Sequence, residues 1–182
     1  MAKAKRKATK PVARSNAAGK GAAPARKRVK PIPDGYRAVT PYLCIDGAAA
    51  AIDFYKRAFG ARQRMRMDAP GGKIGHAELV LGDSVIMLAD EYPEFDFRSP
   101  KARGGTSVTI HLYVKDVDAV VARAVEAGAR VKRPVKNEFY GDRSGTVEDP
   151  FGHVWNVATH IEDLTPAAMR RRMDEAMKQA GG

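Results

Sequence analysis

Two side chains with acid–base chemistry lie two residues apart, at His76 and Glu78. Alternate residues of a β-strand face the same side, so a strand through this segment would place the imidazole beside the carboxylate. An imidazole accepts or donates a proton near neutral pH, and Glu78 would orient it. The two residues are therefore our candidate catalytic pair. In the alternative interpretation, Glu78 faces solvent and pairs with a nearby arginine.

A third candidate is Arg143, which follows Tyr140, Gly141 and Asp142 where a loop meets a predicted strand. The planar guanidinium presents a fork of N–H donors that matches carboxylates and phosphates. Arg143 is therefore a candidate clamp for an anionic ligand, with Tyr140 beside it. The alternative is a network between Asp142 and Arg143 that only stabilises the loop.

Unbroken alternation from Ser107 to Val114 predicts a strand with one apolar face and one polar face. Several other predicted strands also carry polar or aromatic residues on one side. If these faces converge, they line a cavity, although an antiparallel sheet can also leave such a face in water. The predicted ligand-binding residues are Thr40, Tyr42, Met87, Thr109, His111, Tyr113, Tyr140, Arg143 and Asn156.

The elements that position these residues repeat once along the chain. A strand over 36–45 is followed by an amphipathic helix with Asp46 as N-cap and Gly60 at its end, and then by strands over 62–67, 74–81 and 84–89. The second copy has a strand over 107–114, a helix from Asp116 to Gly128, and strands over 131–135, 144–148 and 154–159. The sequence thus predicts two βαβββ units in tandem.

Four segments carry a family resemblance: TPYL at 40–43, IDFYKRAFGA at 52–61, KIGHAELVLGDSVIMLADE at 73–91 and FYGDRSGTVEDPFGHVWNVATH at 139–160. Together they resemble the PhnB-like branch of the vicinal-oxygen-chelate superfamily of glyoxalases, bleomycin resistance proteins and dioxygenases. The resemblance implies an α+β fold in which tandem βαβββ modules form a cupped mixed sheet, often completed by a dimer partner. It also implies either a metal-dependent enzyme or a metal-free binder of small molecules.

In the metalloenzymes of that superfamily, the first and the last strand of each module supply one ligand each. The resemblance places Thr40, Met87, Thr109 and Asn156 at these positions, and none of the four is a usual ligand of a divalent metal. We therefore expect no metal cofactor at the usual site. If a divalent metal does bind, the candidate ligands are His76, Glu78, His111 and His160; otherwise each of these histidines is a polar lining residue.

Charge divides the chain unevenly. Residues 1–30 hold eleven Lys and Arg and no Asp or Glu, and removing them from the total of 32 leaves 21 basic residues against 21 acidic ones. We predict that residues 1–30 form a disordered tail, because their Ala, Lys, Arg, Pro and Gly bury too little apolar area to fold. Such a tail can bind nucleic acid weakly and without sequence preference, or simply be solvated.

The remaining chain divides into a domain over 31–162 and a C-terminal amphipathic helix within 163–182. Thr165 and Pro166 predict the start of this helix, and Met169, Met173 and Met177 form a stripe that would dock on the body or across a homodimer. The single Cys44 cannot form an intramolecular disulfide, and no apolar run is long enough to span a membrane, which favours the cytoplasm.

The sequence therefore predicts a small-molecule binding protein without the usual metal site. The alternatives are a glyoxalase-type lyase or isomerase that uses His76 and Glu78, and a protein whose tail associates with nucleic acid.

Overall fold

A computed structural model describes residues 29–180, so the predicted disordered tail lies outside the described residues except for its last two positions. Eight strands and three α-helices follow in the order β1 (Tyr42–Ile45), α1 (Ala48–Phe59), β2 (Arg62–Asp68), β3 (Ile74–Leu81), β4 (Ser84–Asp90), β5 (Thr109–Tyr113), α2 (Val117–Glu126), β6 (Arg130–Asn137), β7 (Asp142–Glu148), β8 (Val154–His160) and α3 (Pro166–Ala180). This order confirms the two predicted βαβββ modules.

Each module forms its own four-stranded mixed sheet, with strand order β1-β4-β3-β2 in the first and β5-β8-β7-β6 in the second. The first strand of each module pairs in parallel with the last, and the other pairs are antiparallel. The parallel pair is possible because the helix of each module carries the chain back across the sheet. The structure thus confirms the predicted α+β class and repeat.

The core lies on the apolar face of both sheets, where α1 and α2 pack against each other. Trp155 and Tyr55 are almost fully buried there, and both donate hydrogen bonds to the buried carboxylate of Asp149, at 3.0 and 2.7 Å. Asp149 also accepts the backbone N–H groups of Phe151 and His153 at the turn after β7. This turn therefore ties the second module to the helix of the first.

The two modules start their helices differently. The predicted N-cap Asp46 is wrong, because Gly47 holds the left-handed cap position without a side-chain cap bond. The carboxylate of Asp90 instead accepts the N–H groups of Gly47 and Ala48, at 3.0 and 2.8 Å. Asp116 caps α2 as predicted, through a 3.0 Å bond from the N–H of Ala119.

Strand β6 lies unusually close to β7 at Gly145. An added Cβ at Gly145 would lie 2.8 Å from a methyl carbon of Val135 and 3.3 Å from its Cα. The β6–β7 register shifts on both sides of Arg133, as expected where extra residues bulge out of a ladder. Glycine at 145 therefore lets the bulged strand pack against its neighbour.

Helix α3 begins as predicted, with the hydroxyl of Thr165 accepting the N–H of Ala168 at 3.2 Å. Its methionine stripe is not covered in the described residues, since Met173 is 41% and Met177 67% exposed. Arg172 anchors the helix through two hydrogen bonds to the carboxylate of Glu162, at 2.7 and 2.8 Å. None of the described helices is both long and apolar enough to cross a membrane.

Candidate functional site

The sheet faces opposite the helices carry two equivalent rows of side chains, one in each module. In the first module the strand register aligns Tyr42, Met87, Glu78 and Met65 across the sheet, and we call this set the first row. In the second module the same positions hold His111, Asn156, Thr146 and Arg133, which we call the second row. The two rows are the places where a ligand on the sheet would be recognised.

Glu78 of the first row is covered by the chain that precedes β1, whereas Tyr42 and Met65 at the ends of the row are exposed. The hydroxyl of Tyr36 donates a 2.6 Å hydrogen bond to Glu78, and the guanidinium carbon of Arg64 lies 4.4 Å from the centre of the Tyr36 ring. Arg64 also forms a 3.6 Å ion pair with Glu78, whose side chain is only 3% exposed. Glu78 therefore faces neither solvent nor an open cavity. The predicted first strand begins six residues later than expected, at Tyr42, because this segment folds over the sheet instead.

The candidate catalytic pair is in contact but sits under this cover. A ring nitrogen of His76 lies 3.4 Å from the Glu78 carboxylate, and its other nitrogen lies 2.9 Å from the hydroxyl of Tyr42. Burial alone would raise the pKa of Glu78, but the hydrogen bonds from Tyr36 and His76 and the charge of Arg64 outweigh it and lower the pKa below its ordinary value. Glu78 is thus held as a carboxylate.

The second row is open and forms the floor of a groove of about 450 Å³, which we call the His111 groove. Most of its lining is polar and capable of hydrogen bonding. The lining residues are Thr109, His111, Lys132, Arg133, Glu138, Tyr140, Ser144, Gly145, Thr146, Val154 and Asn156.

A chain of hydrogen bonds runs along the floor of this groove. The amide nitrogen of Asn156 lies 3.0 Å from Nδ1 of His111, and the hydroxyl of Thr146 donates to the amide oxygen of Asn156 at 3.1 Å. The contact occupies Nδ1, which leaves Nε2 of His111 as the ring nitrogen available to a ligand.

Cations follow strand β6 along one wall of the groove. Lys132 donates to Glu148 at 3.1 Å, and this bond is the main cause of the lowered pKa of Glu148; Arg130 binds the same carboxylate at 3.0 Å. Lys136 lies 3.7 Å from Glu138. These acids therefore lie against the cations of β6 rather than among the floor residues.

A second groove, of about 570 Å³, lies between the edge strands β1 and β5, and we call it the junction groove. Tyr42, Thr109 and His111 line it, so it meets the His111 groove at the last two residues. Cys44 is also in its wall, where burial raises the pKa of the thiol to about 11. His153 bridges the modules through a 3.2 Å contact with the carbonyl oxygen of Cys44.

Arg143 points away from both grooves. Its guanidinium binds both carboxylate oxygens of Asp118 in α2 at 2.7 Å, and it donates to Asn137 at 3.0 Å. Neither the predicted anion clamp nor the alternative pairing with Asp142 is formed. The hydrogen bond to Asp118 raises the pKa of Arg143, so the guanidinium is committed to a structural ion pair.

A separate cluster surrounds the buried carboxylate of Asp142. Tyr113 donates to it at 3.0 Å, and Nδ1 of His160 lies 2.7 Å away. The other ring nitrogen of His160 lies 3.1 Å from Asp163. The hydrogen bond to Asp142, followed by the one to Asp163, raises the pKa of His160 above its ordinary value. Tyr113 and His160 therefore lie outside the two grooves.

The donor set does not fit the metal centre that the fold suggests. The strand register pairs Met87 with Tyr42 and Asn156 with His111, and His111 alone among these four is a common ligand. Within residues 29–180 no three His, Cys, Asp or Glu side chains are grouped so as to hold a metal ion. His76 and Glu78 are in contact, but neither is grouped with His111 or His160.

The structure therefore gathers only part of the predicted ligand-binding set. Tyr42, Thr109, His111, Tyr140 and Asn156 line one groove or both, whereas Thr40 and Met87 line neither. Thr40 donates instead to the carbonyl of Arg37 in the loop before β1. Sequence reasoning missed Tyr36, which covers Glu78, and five polar lining residues of the His111 groove: Lys132, Arg133, Glu138, Ser144 and Thr146.

Comparison with known proteins agrees with this architecture. Residues 38–157 match the family model of the glyoxalase, bleomycin resistance protein and dioxygenase superfamily. The chain therefore belongs to that superfamily. An uncharacterised Mycobacterium bovis protein, Mb0911c, is 43% identical over 130 residues, which cover 70% of this chain and 86% of the relative.

Two solved structures share the fold. The crystal structure of TioX from Micromonospora sp. ML1 is 28% identical, covers 71% of this chain and 100% of its own, and superposes with a TM-score of 0.54. A PhnB protein from Bacillus cereus superposes with the same TM-score at 17% identity, over 68% of this chain and 99% of its own. The latter likeness shows the fold alone, and it places a PhnB protein among the structural neighbours.

Proposed function

We propose that the protein binds a small polar molecule in the His111 groove and does so without a divalent metal held at the usual positions. The observation that carries this proposal is the difference between the two rows: Tyr36 covers Glu78 in the first row, whereas the second row forms the floor of an open groove. A concave site of a few hundred Å³ with several convergent polar groups is the usual form of a small-molecule site. The His111 groove has both properties.

The floor residues suit recognition better than they suit a defined reaction. His111, Asn156 and Thr146 are already ordered by their mutual hydrogen bonds, so a ligand would not have to immobilise them. Tyr140 lies 3.4 Å from Ser144, with the hydroxyls of both at the groove. These groups offer donors and acceptors to the ligand.

A thermal-shift screen of metabolites, followed by site variants, tests this proposal. A ligand that binds only the folded state raises the melting temperature. We expect the shift to be lost in Asn156→Leu, which removes the central amide of the second row, and to be retained in the matched variant Met87→Leu, which changes the same position of the first row. A shift that survives Asn156→Leu and disappears in Met87→Leu would place the ligand in the first module and contradict the proposal.

The alternative of a lyase or isomerase that uses His76 and Glu78 rests on their 3.4 Å contact. Substrate would reach Glu78 only after Tyr36 moved, because that residue occupies one carboxylate oxygen. The alternative predicts that a His76→Ala variant loses turnover of any substrate found, while binding in the His111 groove continues. Stoichiometric metal that is lost in the same variant would favour a metal-dependent version.

A homodimer is part of the proposal. Apolar or aromatic side chains remain exposed on the open sheet faces, with Tyr113 61%, Met67 58% and Met65 40% exposed. A second copy would cover them, and the methionine stripe of α3 offers further apolar surface. Sedimentation velocity of the full chain, which separates monomer from dimer, tests this expectation.

Association of the tail with nucleic acid is a second proposal, and it rests on the charge division alone. Residues 1–30 hold the whole excess of eleven positive charges. We expect retention of duplex DNA at low salt to disappear when these residues are deleted, because the remaining chain is formally neutral. Retention that survives the deletion would contradict this explanation.

A further inference from the structure

Arg133 differs from the other cations of strand β6. Arg130 and Lys132 bind Glu148, and Lys136 lies near Glu138. No carboxylate among residues 29–180 forms an ion pair with Arg133, although its side chain lines the His111 groove. Among the described residues, the wall of the groove therefore holds one positive charge without a carboxylate partner.

The position of Arg133 is set by the irregular pairing of β6. The register pairs Arg133 with Thr146 and shifts on either side of it, and the bulged chain that follows packs against Gly145. Thr146 faces the groove, because its hydroxyl bonds to Asn156. Arg133 therefore faces the groove together with Thr146, although simple alternation along β6 would place it on the opposite face of the sheet.

We propose that the ligand carries an oxyanion, a carboxylate or a phosphate group, and that Arg133 binds it. This inference rests on the proposed function, since it concerns the ligand of the same groove. A guanidinium recognises such oxyanions through two parallel N–H bonds, and an unpaired arginine at the wall of a polar groove provides that fork. The Arg133 charge is available to the ligand because neither Glu148 nor Glu138 forms an ion pair with it.

The rest of the row indicates how the ligand lies. Arg133 and His111 stand at opposite ends of four adjacent strands, so three spacings of about 4.8 Å separate their backbones. Between them, Thr146 and Asn156 present a hydroxyl and an amide. The ligand would place its anionic group at Arg133 and extend its polar body across the sheet toward His111.

Matched probes on the isotopically labelled full chain test this proposal. Benzoate and phenyl phosphate carry the two oxyanions, and benzamide is the neutral counterpart of benzoate. We expect chemical-shift changes at Thr146 and Asn156 with both anions, and at least about tenfold weaker binding of both in Arg133→Gln, the loss expected of a charge-assisted pair. Binding should stay within about twofold of wild type in Arg130→Gln, which removes a paired cation from the same strand.

The outcomes separate this inference from the proposed function. Benzamide that binds the groove as tightly as benzoate, or equal losses in the Arg133 and Arg130 variants, would overturn the oxyanion inference and leave the groove as a binding site. If neither the charged nor the neutral probes perturb the groove, the proposed function fails as well. A loss restricted to phenyl phosphate or to benzoate identifies which oxyanion Arg133 recognises.

Discussion

The two modules have the same order of strands and helix, but the side chains on their open sheet faces differ in chemical character. At equivalent positions the first row has Tyr42, Met87, Glu78 and Met65, whereas the second has His111, Asn156, Thr146 and Arg133. The first row places a carboxylate at its centre and then covers it from within the same chain. The second row places neutral polar groups at its centre and leaves them open.

This difference shows how a duplicated scaffold can separate stability from recognition. A carboxylate that is 3% exposed must be compensated, and Tyr36, Arg64 and His76 supply the compensation, so Glu78 has a structural role in the first row. The second row satisfies its amide and hydroxyl without closing over them. Its remaining hydrogen-bonding capacity, together with the charge of Arg133, is what a ligand would use.

The two modules also differ in the acceptors that hold the starts of their helices. We expect the largest effect on the free energy of unfolding there. Asp90 is buried and accepts three backbone N–H groups: those of Gly47, Ala48 and Ile74, at 3.0, 2.8 and 2.6 Å. In Asp90→Ala these donors lose their acceptor, so we expect a loss of about 3 kcal/mol in the free energy of unfolding. Urea denaturation measures it.

The matched change in the second module is Thr159→Val. The Thr159 hydroxyl accepts the N–H of Val117 at 2.9 Å and donates to the carbonyl of Val114 at 3.0 Å. Since Asp116 also caps α2, we expect a smaller loss, of about 1 kcal/mol. Equal losses in the two variants would mean that the modules do not differ in how they hold their helices.

Weakening the cover over Glu78 should have the next largest effect on the free energy of unfolding. Tyr36→Phe deletes the 2.6 Å hydrogen bond to the buried Glu78 carboxylate, and a bond to a charged acceptor of this kind contributes about 1.5 kcal/mol. The control is Tyr92→Phe, because within the described residues the Tyr92 hydroxyl has no hydrogen-bond partner and its ring keeps the contact with Lys73. Urea denaturation of both variants checks the expectation, and equal losses would contradict it.

Glu78 also gives the first row a defined pH dependence. Because its folded-state pKa is lowered, its contribution to stability is fully present above the unfolded value of 4.5 and is lost as the pH falls through the folded value. The stability difference between wild type and Glu78→Gln should therefore be largest near neutral pH and shrink in acid. A difference that does not change with pH would show that the carboxylate is not the source of the effect.

Local patterns were enough to predict most of the fold. The bounds of β3 agree with the prediction, and the Asp116 cap and the end of α1 at Gly60 follow from signals a few residues long. The N-cap of α1 was wrong because its acceptor, Asp90, lies 42 residues away from Ala48. No local pattern identifies a partner at that separation.

The candidate site was harder to predict, for two physical reasons. Alternation placed His76 and Glu78 on one face correctly, but it could not show that Tyr36, 42 residues away, covers Glu78. Arg143 was predicted to line the groove but does not, and Arg133, which does line it, was given no role. Alternation along β7 puts Arg143 on the sheet face that Thr146 does not share, and hence away from the groove. The bulge in β6 breaks the alternation, so the face of Arg133 could not be read from its position in the strand.

His160 offers a smaller test, in which the pH dependence should have the opposite sign to that of Glu78. Its pKa is raised, chiefly by the hydrogen bond to Asp142, so its contribution to stability is fully present below the unfolded value of 6.5 and is lost as the pH rises through the folded value. We expect His160→Gln to lower the melting temperature at about pH 5.5 and to match wild type at about pH 9. Asp163→Asn, which removes the exposed partner only, should have a weaker effect of the same sign. If His160→Gln and Asp163→Asn instead lowered stability only at alkaline pH, the ion pair with Asp142 would not be the source of the effect. The same conclusion would follow if the difference between His160→Gln and wild type shrank in acid, as it should for Glu78→Gln. The two modules would then not differ in the sign of their pH dependence.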